Sequence, residues 1–360
     1  MSLFERIDIY TNNYIHCNEQ FFQLVNELTS FHFYNCEEYK SILNKIFGID
    51  LDKQRIKHLS HIPYLHVDLF KNYELKSIDN SQIFKTLTSS GTSGQRTSKI
   101  FLNRQNARIQ SIALSKIFTD FTGLKRPRIL ILDSPELLRN NENFSARSAG
   151  IRGFSSLCRK PLFALKSDMS INHQVFEDLL LIEDEQILLY GFTFIIWLHF
   201  LKNEIPKKIK NILARRGVLI HGGGWKKLKN LNISKEEFKD KVTQITGIKK
   251  IINYYGMVEQ TGSIFMECGH GFLHSNALGN ILSRSIDSLQ NNQIGEVGIA
   301  QIISCLPLSY PGHSLLTDDL IKINSIDNCK CGRRGTAFEF IERIKKSESR
   351  GCSDTYDNKK

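Results

Sequence analysis

The sequence predicts an α/β protein in which mostly parallel sheets are covered by helices, with a helical N-terminal region and a β-rich C-terminal part. Four short apolar runs carry the prediction: "RILILDSP" (128–135), "QILLYGF" (186–192), "GVLIHGGG" (217–224) and "KIINYYG" (250–256). Each is rich in strand formers and ends at or near Gly, Ser or Pro. Helix-compatible sequence separates them, and that alternation builds a parallel sheet buried on both faces. Ahead of the runs, Phe21, Phe22, Leu24, Val25 and Leu28, then Tyr39, Ile42, Leu43 and Ile46, recur at helical spacing. They predict two amphipathic helices between about Asn13 and Phe47. Behind the runs, "GSIFMEC", "GEVGIAQIIS" and "LIKIN" read as strands.

Between these blocks, "IPYLHVDLF" (62–70) reads as a turn and "IFKTLTSS" (83–90) as a short extended segment. A helix is expected from about Arg104 to Phe121, so "LTSSGTSGQRTSKIF" (87–101) falls between strand and helix. The most apolar stretch, "ILLYGFTFIIWLHFL" (187–201), holds a Gly and a His. It is shorter than the roughly 18 to 20 residues that span a bilayer, and reads as a buried strand and helix. The tail "SESRGCSDTYDNKK" reads as disordered. The expected division is a helical region of the same unit at 1–85, the main domain at 86–345, and a flexible tail at 346–360.

Composition narrows the function. With 360 residues, 41% of them hydrophobic, the chain can bury a sizeable core. Neither a signal-peptide pattern nor a membrane span is evident, so a cytoplasmic protein is expected. Eight Cys without a secreted-type framework imply reduced thiols. The net charge of +11 is scattered, and no nucleic-acid-binding pattern accompanies it. It reads as a solvated basic surface suited to anionic small substrates, with no nucleic acid expected.

In sheets of this kind ligands collect at the carboxyl ends of strands, so the polar residues after each run are the ones to inspect. A Ser/Thr/Gly loop suits polyphosphate because Gly admits the backbone closely and hydroxyls donate. On residue chemistry alone, Ser89 to Gly94 are either a solvated turn or such a cradle. The loop lacks the Gly-Lys-Ser/Thr ending of a P-loop. Downstream stand "HGGGWKK" (221–227), "NYYGMVEQTG" (253–262) and "LLTDDL" (315–320).

In that order these segments resemble the adenylate-forming superfamily. The resemblance implies that Ser89, Ser90, Gly91, Thr92, Ser93 and Gly94 hold the phosphates of ATP, with Arg96 and Lys99 as charge partners. It implies that Gly222, Gly223 and Gly224 pack along adenine, with Tyr255 and Gly256 as further nucleotide contacts. Glu259 becomes a Mg2+ ligand, and Asp319 the ribose ligand in preference to Asp318, which stands where the family has Gly. Val258 replaces a usual Thr or Ser, and Thr261 is the nearby hydroxyl. A carboxylate attacking the α-phosphorus builds charge on phosphate oxygens, which calls for fixed donors and a metal.

Within the superfamily, "SSGTSG", "HGGGWKKL" and "RGCSDTY" resemble the acyl-protein synthetase (LuxE-type) family, from about Phe84 to the C-terminus. That resemblance implies activation of a long-chain fatty acid as acyl-adenylate, then transfer to Cys352, with an acyl-accepting reductase or carrier protein as partner. On its residues alone Cys352 is an exposed thiol, with Arg350 nearby to favour the thiolate. Because the sequence ends soon after "IERIKK", the full C-terminal lid of the superfamily is expected to be absent, leaving Lys345 and Lys346 as late lysines. Val258 and the absent lid are what a non-catalytic nucleotide- or partner-binding subunit would show, and an acyl- or aryl-coenzyme A ligase is the other alternative.

Two knuckles remain. "ECGHGFLH" offers Cys268 with His270 and His274, of which His274 is preferred, and "CKCGRRG" offers Cys329 and Cys331. Cys268, His274, Cys329 and Cys331 form either a structural Zn2+ site or a set of reduced surface thiols. His221 reads as a packed, hydrogen-bonded residue, and Phe192, Phe194 and Trp197 as either core or acyl-tunnel lining.

Overall fold

The structure, a computed structural model, describes residues 14–89, 97–139, 146–181, 185–223, 228 and 231–344. The predicted helical pair is present as α1 (Tyr14–Asn35) and α2 (Glu37–Ile42), which runs into a π turn closed by Gly48 at φ 64°. Its apolar stripes bury Val25 against Ile303 and Leu306, and Tyr39 against Tyr310 and Leu315. The N-terminal region therefore packs on the β-rich part.

Residues 62–70, read as a turn, contain β1 (Leu65–His66) and the start of α3 (Leu69–Asn72). A second strand stands between the Ser/Thr/Gly segment and the expected helix: Lys99–Leu102 forms β3, antiparallel to β2 (Lys85–Thr88). Ile100, Phe101 and Leu102 give β3 its apolar character, and their burial draws the segment into the ladder. The helix follows as α4 (Arg104–Thr122), capped by the Asn103 side chain, which accepts from the Asn106 N–H, and ended by Gly123 at φ 75°.

The four predicted runs are β4 (Arg128–Ile131), β6 (Ile187–Phe192), β7 (Gly217–Gly222) and β8 (Lys250–Tyr255). Sequence reading missed the short β5 (Pro161–Phe163). Covering helices are α5 (Glu136–Arg139), α6 (Ala146–Ser155), α7 (Gln174–Leu180), α8 (Thr193–Ile195), α9 (Lys207–Arg216) and α10 (Lys235–Thr246). Strands β5-β4-β6-β7-β8 are parallel. Alternation sorts their side chains: Leu130, Leu189 and Leu219 face α7, α9 and α10, while Ile131, Leu188 and Ile220 face α4 and α6.

The C-terminal strands continue the same sheet instead of forming a separate one. They are β9 (Phe265–Glu267), β10 (Leu273–His274), β11 (Gly279–Arg284), β12 (Val297–Ser304), β13 (Ser314–Ile326) and β14 (Thr336–Arg343). Beyond β8 the order is β9-β10-β14-β13-β12-β11, all antiparallel, with β1 added in parallel on β13. The seam between the two halves runs between β8 and β9. No described helix is long and apolar enough to cross a membrane.

Where α1 meets the 305–313 segment, His32 and His313 stack with ring centroids 5.0 Å apart, both fully buried. His32 Nδ1 lies 2.8 Å from Ser77 Oγ, and His313 Nε2 lies 3.0 Å from Thr29 Oγ1. Burial lowers His32 to about 3 and carries His313 well below 6.5. Both are neutral in the fold. The unfolded chain takes up protons near 6.5 that the fold refuses, so stability is full above that pH and declines below it towards pH 3. Each imidazole contributes a slope of about 1.4 kcal/mol per pH unit in that window. Urea midpoints should hold steady from pH 8 to 7 and fall steadily below 6.5, and His32→Gln should flatten the fall. A midpoint independent of pH between 7 and 5 would contradict this.

Candidate active site

Beyond the paired strands β2 and β3 the two segments are tied by Ser89 and Ser98. The Ser89 N–H donates to the Ser98 carbonyl at 3.1 Å, and the Ser98 N–H donates to Ser89 Oγ at 2.8 Å. Of the proposed phosphate ligands, Ser89 is therefore placed; Ser90, Gly91, Thr92, Ser93 and Gly94, with Arg96, lie outside the described residues. Lys99 is paired with Glu74 at 3.0 Å.

At the end of β7, two glycines are required by what lies against them. A Cβ on Gly222 would sit 2.6 Å from the Tyr254 ring. Gly223 has φ 68°, and its Cβ would meet the Phe192 ring at 2.8 Å. Gly224 lies outside the described residues. His221 is a packed, hydrogen-bonded residue: Thr193 Oγ1 is 2.9 Å from its Nδ1, and burial, with Lys239, lowers it to about 3. Phe192, Phe194 and Trp197 pack against the core on the α7, α9 and α10 face.

Past β8 comes Gly256, where a Cβ would lie 2.9 Å from Ile264. The turn Val258–Gln260 then buries Glu259. It is held from several sides. Tyr310 Oη donates to the Glu259 carbonyl at 2.8 Å, and Gln260 Nε2 donates to the carbonyls of Gly312 and Ile302. Thr261 spends its hydroxyl on the Val258 carbonyl. Burial raises the Glu259 carboxyl above its usual range, and Ser98, Lys71 and Arg343 offset this only in part. Its carboxylate has no ion-pair partner among the described residues.

Asp319, in the middle of β13, is completely buried. Arg343 donates to it twice, Nε to Oδ1 at 2.6 Å and Nη2 to Oδ2 at 3.1 Å, and Tyr255 Oη donates to Oδ2 at 2.6 Å. Burial and the Asp319 charge raise the Tyr255 hydroxyl well above 10. The fork raises Arg343 further, although two-thirds of its side chain is exposed. Asp318 alternates away and sits half-buried, 3.3 Å from His66 Nε2.

Tyr255, Asp319 and Arg343 thus form one cluster, with Glu259 within the field of Arg343 and Ser98 at the base of the loop. Arg343 and Ser98 were not singled out in the sequence. The signal for Arg343 is its register opposite Asp319, which appears only once β13 and β14 are aligned. Cys268, His274, Cys329 and Cys331 gather in a separate cluster. Cys352, Lys345 and Lys346 lie outside the described residues.

Comparison with known proteins gives the family and the fold. The acyl-protein synthetase (LuxE) family profile matches residues 17–360. Among curated proteins, a long-chain-fatty-acid–luciferin-component ligase of Vibrio harveyi is 22% identical over 343 residues, covering 92% of this chain and 85% of the relative. Its counterpart in Aliivibrio fischeri is 22% identical over 348 residues, covering 92% and 86%. Among solved structures, an open conformation of 2-hydroxyisobutyryl-CoA ligase superposes with a TM-score of 0.67 at 15% identity, over 90% of this chain and 74% of that one. A postadenylation-state structure of the same ligase gives 0.65, over 91% and 67%. At such identity the likeness is one of fold. Family membership rests on the sequence match: the chain belongs to the acyl-protein synthetase family.

Proposed function

We propose that this protein is a ligase that activates a long-chain fatty acid with ATP and then carries the acyl group on Cys352 as a thioester. The observation that carries the adenylation step is the Tyr255–Asp319–Arg343 cluster, with Glu259 held buried between it and the base of the Ser/Thr/Gly loop. In the first step a fatty-acid carboxylate oxygen attacks the α-phosphorus, the α–β anhydride bond breaks, and pyrophosphate leaves with the electron pair. Residues 89–94 would hold the phosphates, Gly222 to Gly224 the base, Tyr255 and Gly256 would be further nucleotide contacts, and Asp319 would hold the ribose hydroxyls.

A buried carboxylate whose nearest cations leave its pKa raised is a fit donor for a divalent cation. Glu259 would hold Mg2+, which supplies charge neutralisation for the phosphate oxygens. In the second step the Cys352 thiolate attacks the acyl carbonyl, the bond from acyl carbon to phosphate oxygen breaks, and AMP leaves. An acyl-accepting reductase or carrier protein would then take the group, in a cytoplasmic setting. The division at 1–85, 86–345 and 346–360 belongs to the same proposal.

The test incubates wild type and Cys352→Ser with ATP, Mg2+ and labelled fatty acids of graded length, with and without coenzyme A. Pyrophosphate release is expected from both proteins. Hydroxylamine-sensitive label should remain on the wild type alone. Soluble thioester made by Cys352→Ser would assign the activity to a coenzyme A ligase, and no pyrophosphate from either protein would leave a nucleotide- or partner-binding subunit.

A further inference from the structure

The Cys and His knuckles take no part in the chemistry above, yet the fold builds them into one cluster. We infer that Cys268, His274, Cys329 and Cys331 hold a single structural zinc ion. The four ligand atoms all lie within 4.8 Å of one another, and His274 Nε2 is 3.4 Å from Cys331 Sγ. Zinc with Zn–S near 2.3 Å and Zn–N near 2.0 Å sets tetrahedral ligand separations of about 3.4–3.8 Å. A small inward shift of the side chains completes that shell. Three thiolates and an imidazole leave no open position, which is a closed structural site and favours zinc over harder ions.

The two turns that supply the sulfurs are built alike, although they are far apart in sequence. Cys268 is followed three residues later by Gly271 at φ 82°, and Cys329 by Gly332 at φ 79°. In each, the Gly N–H donates to the Cys carbonyl at 3.0 Å. Backbone N–H groups also aim at sulfur: His270 donates to Cys268 Sγ and Arg333 to Cys331 Sγ, each at 3.4 Å. Such donors stabilise thiolate charge and orient the ligands. His270 contributes this backbone donor, which leaves His274, at the end of β10, as the imidazole.

The ion would fasten the β9–β10 turn to the β13–β14 connection. That connection also carries Arg333, which pairs with Asp120 and lies 3.8 Å over the Phe121 ring, both on α4. Zinc therefore sets the grip of the β-rich half on the longest helix of the parallel half's outer layer.

Full-length protein purified without added metal should contain about one zinc per chain by plasma mass spectrometry. Less than about one-tenth equivalent, or iron in its place, would overturn the assignment. Cys329→Ser should lose zinc at least about tenfold, whereas His274→Cys, which completes an equally closed four-sulfur set, should retain it. Cys158→Ser, outside the cluster, should keep the wild-type content. Loss from Cys158→Ser equal to that from Cys329→Ser would mark the metal as adventitious. In wild type, a mercurial thiol reagent should release the zinc as the three cluster thiols react, and a disulfide among those thiols would sink the proposal. These readouts measure metal alone, so they stand or fall independently of the adenylation reading.

Discussion

Glu259→Gln is expected to lower fatty-acid-dependent ATP–pyrophosphate exchange by about 100- to 1,000-fold while leaving the fold as stable as the wild type or slightly more so. The two effects part because of where the carboxylate sits. Burial raises its pKa, so at neutral pH its charge opposes folding, and a neutral amide of the same shape relieves that cost. The Tyr310 and Gln260 side chains that hold the turn donate to backbone carbonyls, and these bonds survive the change. Exchange should be measured with whichever fatty acid the wild type uses, beside a thermal melt. Exchange within about threefold of wild type would remove Glu259 from the reaction.

The second large effect is expected at the Asp319–Arg343 pair. Arg343→Met leaves a completely buried carboxylate that, among the described residues, keeps only the Tyr255 hydroxyl as a side-chain donor. Breaking a buried pair on one side costs about 3–5 kcal/mol. The Arg343 side chain is two-thirds exposed, so water can reach the vacated place and a loss of about 2 kcal/mol is expected. Adding Asp319→Asn should recover part of that loss, since the amide carries no charge to strand. The KM for ATP should rise in both the single and the double variant. A double variant less stable than Arg343→Met by urea unfolding would show that the two residues do not act as a pair.

Much of this was legible in the sequence because it depends on local rules. The four β-rich runs fell where β4, β6, β7 and β8 stand, and α4 begins at the predicted Arg104. Strand period, Gly at strand ends and an Asn cap are written within a few residues. The ladder of β2 and β3 was not legible, because Lys99–Leu102 is too short to show alternation and is fixed by pairing with Lys85–Thr88. Nor was the continuity of the sheet through β9, which rests on two residue pairs with β8, Tyr254 with Met266 and Tyr255 with Phe265. Arg343 reads in "IERIKK" as one cation among several; only its register against Asp319 separates it from its neighbours. The same holds for Ser98, brought towards Glu259 by contacts between segments 161 residues apart in sequence (259 − 98).

The seam between β8 and β9 also orders events during synthesis. A nascent chain can form the α4–β8 layers as soon as β8 emerges, since those strands pair among themselves. The cluster is different in kind: Tyr255 ends the first half, Asp319 lies deep in the second, and Arg343 ends β14, the last strand among the described residues. Until β14 is added, β13 carries a carboxylate without its guanidinium. The cluster is therefore completed only after Arg343 has emerged, well after the parallel layers can have formed.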